Sequence, residues 1–156
     1  MKSLVVYYSV TGKTRLVAQA IGNELNATVM EISETKPRKR GPSLYAIGGF
    51  EAKMNKRSKI EPIEADLAQY ERVFVGSPVW NSRPVPAINA YLDKCSSLRG
   101  KEAICFVTYG SGAGKQRTLK AMKKRLEAKG ARVIGTISFQ QREGNERCKE
   151  KLKELL

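Results

Sequence analysis

The chain contains no histidine, only three cysteines and few aromatic residues, and these absences already narrow its chemistry. Without histidine there is no Ser-His-Asp or Cys-His nucleophilic machinery, and the commonest metal ligand is missing. Any reaction must then be carried by something the protein binds. Cys95, Cys105 and Cys148 form no CxxC pair and leave one thiol over, which suits neither a disulfide framework nor a zinc site. Buried free thiols are the simpler expectation. The longest apolar runs, such as Leu4 to Tyr8 and Ala103 to Val107, fall far short of the roughly 20 residues a membrane-spanning helix needs. Met1-Lys2-Ser3-Leu4 enters a strand-like run at once, without the apolar core and cleavage site of a signal peptide. A cytoplasmic protein with no membrane insertion is expected.

Acidic residues are also in deficit: 15 Asp and Glu face 29 Lys and Arg, for a net charge of +14. The excess is concentrated in two segments. Thr35 to Lys59 carries eight cations against one acid, Lys115 to Arg132 carries eight against one, and the remainder balances.

What is present fits one globular core. With 156 residues, 41% of them hydrophobic and 28% charged, a single domain spanning 1–156 is expected, and disorder is not. Short β-branched, apolar runs predict strands at Ser3 to Tyr8, Ala27 to Ile32, Arg72 to Gly76, Ala103 to Tyr109 and Arg132 to Phe139. Three of these are nearly all apolar, the pattern of strands covered on both faces. Between them lie helical stripes: Leu16, Val17, Ala20, Ile21 and Leu25; then Ile88, Tyr91, Leu92 and Cys95 after Pro84 and Pro86. Leu119, Met122 and Leu126 form a third stripe closed by Gly130, and Cys148, Leu152 and Leu155 a fourth. Alternating strands and helices call for a parallel sheet with helices on both faces. Ser33 to Pro62 breaks the rhythm, with Pro37, Gly41-Pro42 and Gly48-Gly49, and leaves room for a short helix around Phe50 to Lys56.

Three loops carry the chemistry. Strand 1 runs into Ser9-Val10-Thr11-Gly12-Lys13-Thr14 and then a helix, so hydroxyls and free N–H groups gather at a helix N-terminus, a nest for a phosphate. A nucleotide P-loop would need Gly five positions before Gly12, where Tyr7 stands. Gly110-Ser111-Gly112-Ala113-Gly114-Lys115 also fails as a Walker loop, because its spacing is wrong and Gln116 replaces the magnesium-binding hydroxyl. Strand 3 ends in Gly76-Ser77-Pro78-Val79-Trp80-Asn81 and strand 4 in Thr108-Tyr109-Gly110-Ser111-Gly112. Trp80 and Tyr109 are aromatic rings on loop tips, suited to stacking on a planar ligand.

These residues resemble a known family. Ser9 to Thr14 followed by Val17-Ala18 is similar to the phosphate loop of flavodoxins, Gly76 to Trp80 to their second flavin loop, and Thr108 to Gly112 to their third. The resemblance implies a three-layer, doubly wound α/β fold with a five-stranded parallel sheet ordered 2-1-3-4-5. The loops of strands 1, 3 and 4 then meet where strand order reverses, a placement for which flavodoxin is itself the reference case. It further implies FMN as cofactor, its phosphate against Ser9, Thr11, Gly12, Lys13 and Thr14, with Val10 of the same loop also in the cofactor site. The ring would lie between Ser77, Pro78, Val79, Trp80 and Asn81 on one side and Thr108, Tyr109, Gly110, Ser111 and Gly112 on the other. In that family the peptide after the second-loop aromatic turns over on flavin reduction, often at a Gly; Asn81 stands there.

Three functions follow as expectations. The first is an electron carrier between redox partner proteins, acidic ones given the charge, such as a ferredoxin-like protein or a reductase, with Arg83 close enough to favour an anionic reduced flavin. The second is an FMN-dependent NAD(P)H oxidoreductase, reducing a quinone or flavin, whose segment Thr35 to Lys59 attracts the pyridine nucleotide. The third is a binding module: Arg117, Lys120 and Lys124 lie at helical spacing, but the interleaved aromatics of a nucleic-acid binder are sparse.

Overall fold

A computed structural model describes every residue, Met1–Leu156. The elements are β1 (Ser3–Tyr7), α1 (Lys13–Leu25), β2 (Thr28–Glu31), α2 (Pro42–Lys53), β3 (Arg72–Pro78), α3 (Pro86–Lys94), β4 (Glu102–Tyr109), α4 (Lys115–Ala128), β5 (Arg132–Gln140) and α5 (Asn145–Leu155). A single 3-10 turn, Leu67–Gln69, precedes β3, with the Asp66 carboxylate accepting from the Ala68 N–H. All strand pairs are parallel and the sheet runs β2-β1-β3-β4-β5, as the resemblance implied. No helix is long and apolar enough to cross a membrane.

The central strands are buried along all but their end residues because both faces are covered, which is why their sequences do not alternate. On one face Leu4, Val6, Val73, Val75, Ala103 and Cys105 meet α2, α3 and α4 through Leu44, Ile88, Leu92, Leu119, Met122 and Leu126. On the other, Val5, Phe74, Ile104, Phe106 and Phe139 meet α1 and α5 through Ala18, Ile21, Cys148 and Leu152. Each such side chain, fully buried, contributes about 1.5–3 kcal/mol. Phe106 and Phe139 add an edge-to-face contact at 6.4 Å.

One predicted element is placed differently. The helix expected around Phe50 to Lys56 occupies Pro42–Lys53 instead. Gly41-Pro42, taken as a break, is a start: proline fits the first helical turn, where its missing N–H costs nothing. Leu44, Gly48 and Ala52, spaced by four, then bury one stripe.

The amino-terminal edge of the sheet is pinned by charge. Glu102 on β4 accepts from Arg72 on β3 at 2.7 and 2.9 Å and from Arg132 on β5. The loops of interest all lie at the opposite edge.

Candidate cofactor site

The first loop turns sharply at Gly12, whose φ of 91° is open to glycine and strained for other residues. The Ser9 hydroxyl accepts from the Gly12 N–H at 3.1 Å and closes the turn. No side chain caps α1, and the N–H groups of Thr11, Lys13 and Thr14 have no protein acceptor. Thr11 and Lys13 are exposed. Unspent donors, a helix dipole and a cation at one point form an anion cradle that fits a phosphate.

The Thr14 hydroxyl faces elsewhere. It is buried and pairs with the Thr108 hydroxyl at 2.8 Å, a staple across β3 joining the first loop to the end of β4. Ser77 is likewise spent: its buried hydroxyl accepts from the Val85 N–H at 3.2 Å and donates to the Pro78 carbonyl at 2.8 Å, fixing the second loop. Thr14 and Thr108 line the cavity, whereas Ser77 acts from behind it.

Trp80 to Arg83 is a two-residue hairpin. The Trp80 N–H donates to the Arg83 carbonyl at 3.2 Å, and the Arg83 N–H returns to the Trp80 carbonyl at 3.0 Å. Asn81 and Ser82 have φ of 50° and 63°, both positive as a type I′ turn requires. Gly114 packs directly on Ser82: a Cβ there would lie 2.6 Å from the Ser82 Cα.

A narrow cavity lies over the first loop, lined by Ser9, Val10, Thr11, Lys13, Thr14 and Thr108 on its polar side and by Pro78, Val79 and Trp80 beyond. It shares Tyr45, Val79 and Trp80 with a wider cavity of about 330 Å³, whose other walls include Gly49, Phe50, Lys53 and Asn81. That volume is at the lower end of small-molecule sites. The pair has a cationic, hydrogen-bonding end and an aromatic end, and no acid lines either part.

Beyond Thr108, the third loop lies outside the two cavities. Tyr109, Gly110, Ser111 and Gly112 line neither of these two cavities. Tyr109 instead has the Lys115 ammonium 4.5 Å from its ring centroid, and the Gly110 carbonyl accepts from Gln140 at 3.3 Å. In their place α2 supplies Leu44 and Tyr45, and the loop after β5 supplies Gln141. The spacing of Leu44, Gly48 and Ala52 was the signal for α2; nothing marked Gln141 in advance. Arg83 lines neither cavity, so its backbone pairing with Trp80 is its evident role here.

Trp80 is 5% exposed and belongs to the core as well as to the cavity wall. Its ring meets Tyr8 edge-on at 6.1 Å, and the Arg38 guanidinium lies 5.4 Å from its centroid. A Cβ on Gly48 would come within 2.7 Å of the indole, so only glycine lets α2 sit this low on it. Arg38 also donates to Glu34 at 2.9 and 3.2 Å and to Glu51 at 2.6 Å, while the Tyr8 hydroxyl donates to Glu34. Burial opposes the charge of Arg38, but Glu34 and Glu51 outweigh it and raise its pKa. Burial, with Glu34 adding to it, also raises the Tyr8 hydroxyl far above its ordinary value.

The family profile described as Flavodoxin matches residues 2–138. The chain therefore belongs to the flavodoxin family. Among curated proteins it is 28% identical to an NAD(P)H dehydrogenase (quinone) of Cupriavidus metallidurans, over 86% of this chain and 70% of that one. It is 30% identical to a protein of the same name in Caulobacter vibrioides, over 75% of this chain but only 61% of the relative. Among solved structures, a Lactobacillus acidophilus flavoprotein in complex with FMN aligns with a TM-score of 0.78 at 22% identity, covering 99% of this chain and 97% of that one. Oxidised flavodoxin 1 of Bacillus cereus aligns at 0.65 and 16% identity, covering 99% and 94%.

Proposed function

We propose that this chain binds FMN noncovalently and serves as an electron-transfer flavoprotein between redox partners. The observation that carries the reading is the polar-to-aromatic cavity beginning at the uncapped N-terminus of α1. The N–H groups of Thr11, Lys13 and Thr14, with the Thr11 hydroxyl and Lys13 ammonium, hold the phosphate monoester; Val10 and Gly12 shape the turn. Pro78, Val79, Trp80 and Asn81 with Tyr45 and Phe50 of α2 would enclose the ring. When bound, FMN supplies reversible electron and hydride acceptance that no side chain of this protein provides. The protein's part is to bind it, orient it and exclude water from it.

The two curated relatives favour a second reading, an FMN-dependent oxidoreductase that takes hydride from NAD(P)H and passes electrons to a quinone. Quenching of FMN fluorescence on titration with the apoprotein tests the shared part. Thr11→Ala should weaken binding about tenfold, the loss of one hydrogen bond to a charged group. Unquenched dye, or a Thr11→Ala variant binding as well as the parent, would overturn the reading. Anaerobic mixing with NADH or NADPH separates the two functions: rapid bleaching identifies the oxidoreductase and its absence the carrier.

A further inference from the structure

Basic charge is abundant on this molecule, but only one basic region also exposes apolar surface. Ile47, Phe50 and Met54 lie within about a third of a turn of one another on α2 and its C-cap, and are 57%, 55% and 56% exposed. Tyr45, at 59%, overhangs the cavity from the same helix. No other element of the fold exposes more than one large hydrophobic side chain.

Cations flank this patch at its carboxyl end, and more precede it in the chain. Lys53 lines the wider cavity beside Phe50, and the Lys56 ammonium lies 5.4 Å from the Phe50 ring centroid. Lys39 follows Arg38, whose grip on Glu51 draws that segment against α2. Glu51 is the only acid between Thr35 and Lys59, and Arg38 neutralises it. Nearby Asp93 is held by Arg57 and Arg125. Lys39, Lys53 and Lys56 have no carboxylate partner.

An apolar centre with a one-signed rim calls for a partner of the opposite sign, since like charges repel before contact and salt weakens the attraction. The second basic region, on α4, offers Arg117, Lys120 and Lys124 but exposes no large hydrophobic beside them. Its charge can attract a partner without seating one.

We propose that the outward face of α2 is the docking surface for an acidic redox protein, seated on Ile47, Phe50 and Met54 and steered by Lys39, Lys53 and Lys56. The electron-transfer part of this proposal rests on FMN occupying the cavity beneath. With FMN bound, a productive encounter would pass one electron from an iron–sulfur cluster of the partner, which would be oxidised, to the flavin, which would be reduced. No bond in either protein is made or broken.

The test uses an acidic [2Fe–2S] ferredoxin as probe and two paired variants, Lys39→Glu with Lys56→Glu, and Lys120→Glu with Lys124→Glu. Binding is followed by backbone amide shifts of the full chain, with and without FMN, and electron transfer by stopped flow across ionic strength. The ferredoxin should shift amides of α2, with or without FMN. The first pair should weaken binding and slow transfer about tenfold, the second less than about twofold, and added salt should erase the difference. Ile47→Ser with Met54→Ser should weaken binding while leaving its salt dependence unchanged. Equal losses from both charge pairs, shifts confined to α4, or salt-independent binding would overturn the proposal. So would a single-stranded oligonucleotide that binds α2 more tightly than the ferredoxin. Ferredoxin binding to α2 in a chain that fails to quench FMN would sink the FMN reading and leave the docking face standing.

Discussion

Gly48 and Gly114 act alike on different sides of the site: each lacks a side chain where a neighbour comes close, the Trp80 indole at Gly48 and the Ser82 backbone and side chain at Gly114. Gly48→Ala forces a methyl against the buried indole of Trp80, which has little room to yield. We expect a loss of about 1–3 kcal/mol in urea unfolding, together with weaker FMN binding as α2 lifts. Asn81 has a related part. Turning over the Trp80–Asn81 peptide would pull the Trp80 carbonyl from the Arg83 N–H, at a cost of about 1 kcal/mol. The motion implied by the family resemblance therefore works against a formed hairpin in this protein. The sequence placed Asn81 in the loop, but the pairing of Trp80 with Arg83 depends on backbone geometry that residue identity alone does not specify.

At the level of elements, the legible parts were those whose neighbours are close in sequence pattern. All five strands and four of the helices follow from apolar periodicity and from Pro and Gly at their ends. The segment from Ser33 to Pro62 did so less clearly, because the buried stripe of α2 includes only one large apolar residue, Leu44, beside Gly48 and Ala52, and charge pairs help to fix its place. Glu34 and Arg38 are four residues apart, but their link to Glu51 on α2, which makes the three one network, is made only in the fold. That network binds α2 to Trp80. Arg38→Ala leaves Glu34 buried beside Tyr8 without its cation, and we expect about 3 kcal/mol of destabilisation by denaturant titration. Glu34→Gln in the same chain should recover part of it, since an amide tolerates the site better than an unpaired carboxylate. Of the candidate site, residues of the first and second loops named from the sequence border the two cavities together with α2, whereas Tyr109 to Gly112 do not.

For the molecule as a whole, stability should fall at both ends of the pH scale. Hydrogen bonds from Arg72, with the nearby Arg132, hold Glu102 below the ordinary carboxylate range, and Arg57 with Arg125 does the same for Asp93. A depressed folded pKa stabilises above the unfolded value of about 4 and is lost as pH falls through the folded one, so the urea midpoint should drop below pH ~4. Burial pushes Cys105 up to about 12 and Cys148 up to about 11. Their folded, protonated form is favoured below the unfolded thiol pKa of about 8.5, and that advantage disappears as pH climbs toward the folded values. Neither thiol should react with iodoacetamide at neutral pH before unfolding. The ion cluster around Glu102 has a different kind of consequence. It braces the sheet at the end remote from every loop described above, so Glu102→Gln should lower the melting temperature and leave FMN affinity unchanged. Foundation and workshop are thus housed at opposite ends of one sheet, and the tools can be exchanged without digging up the ground beneath them.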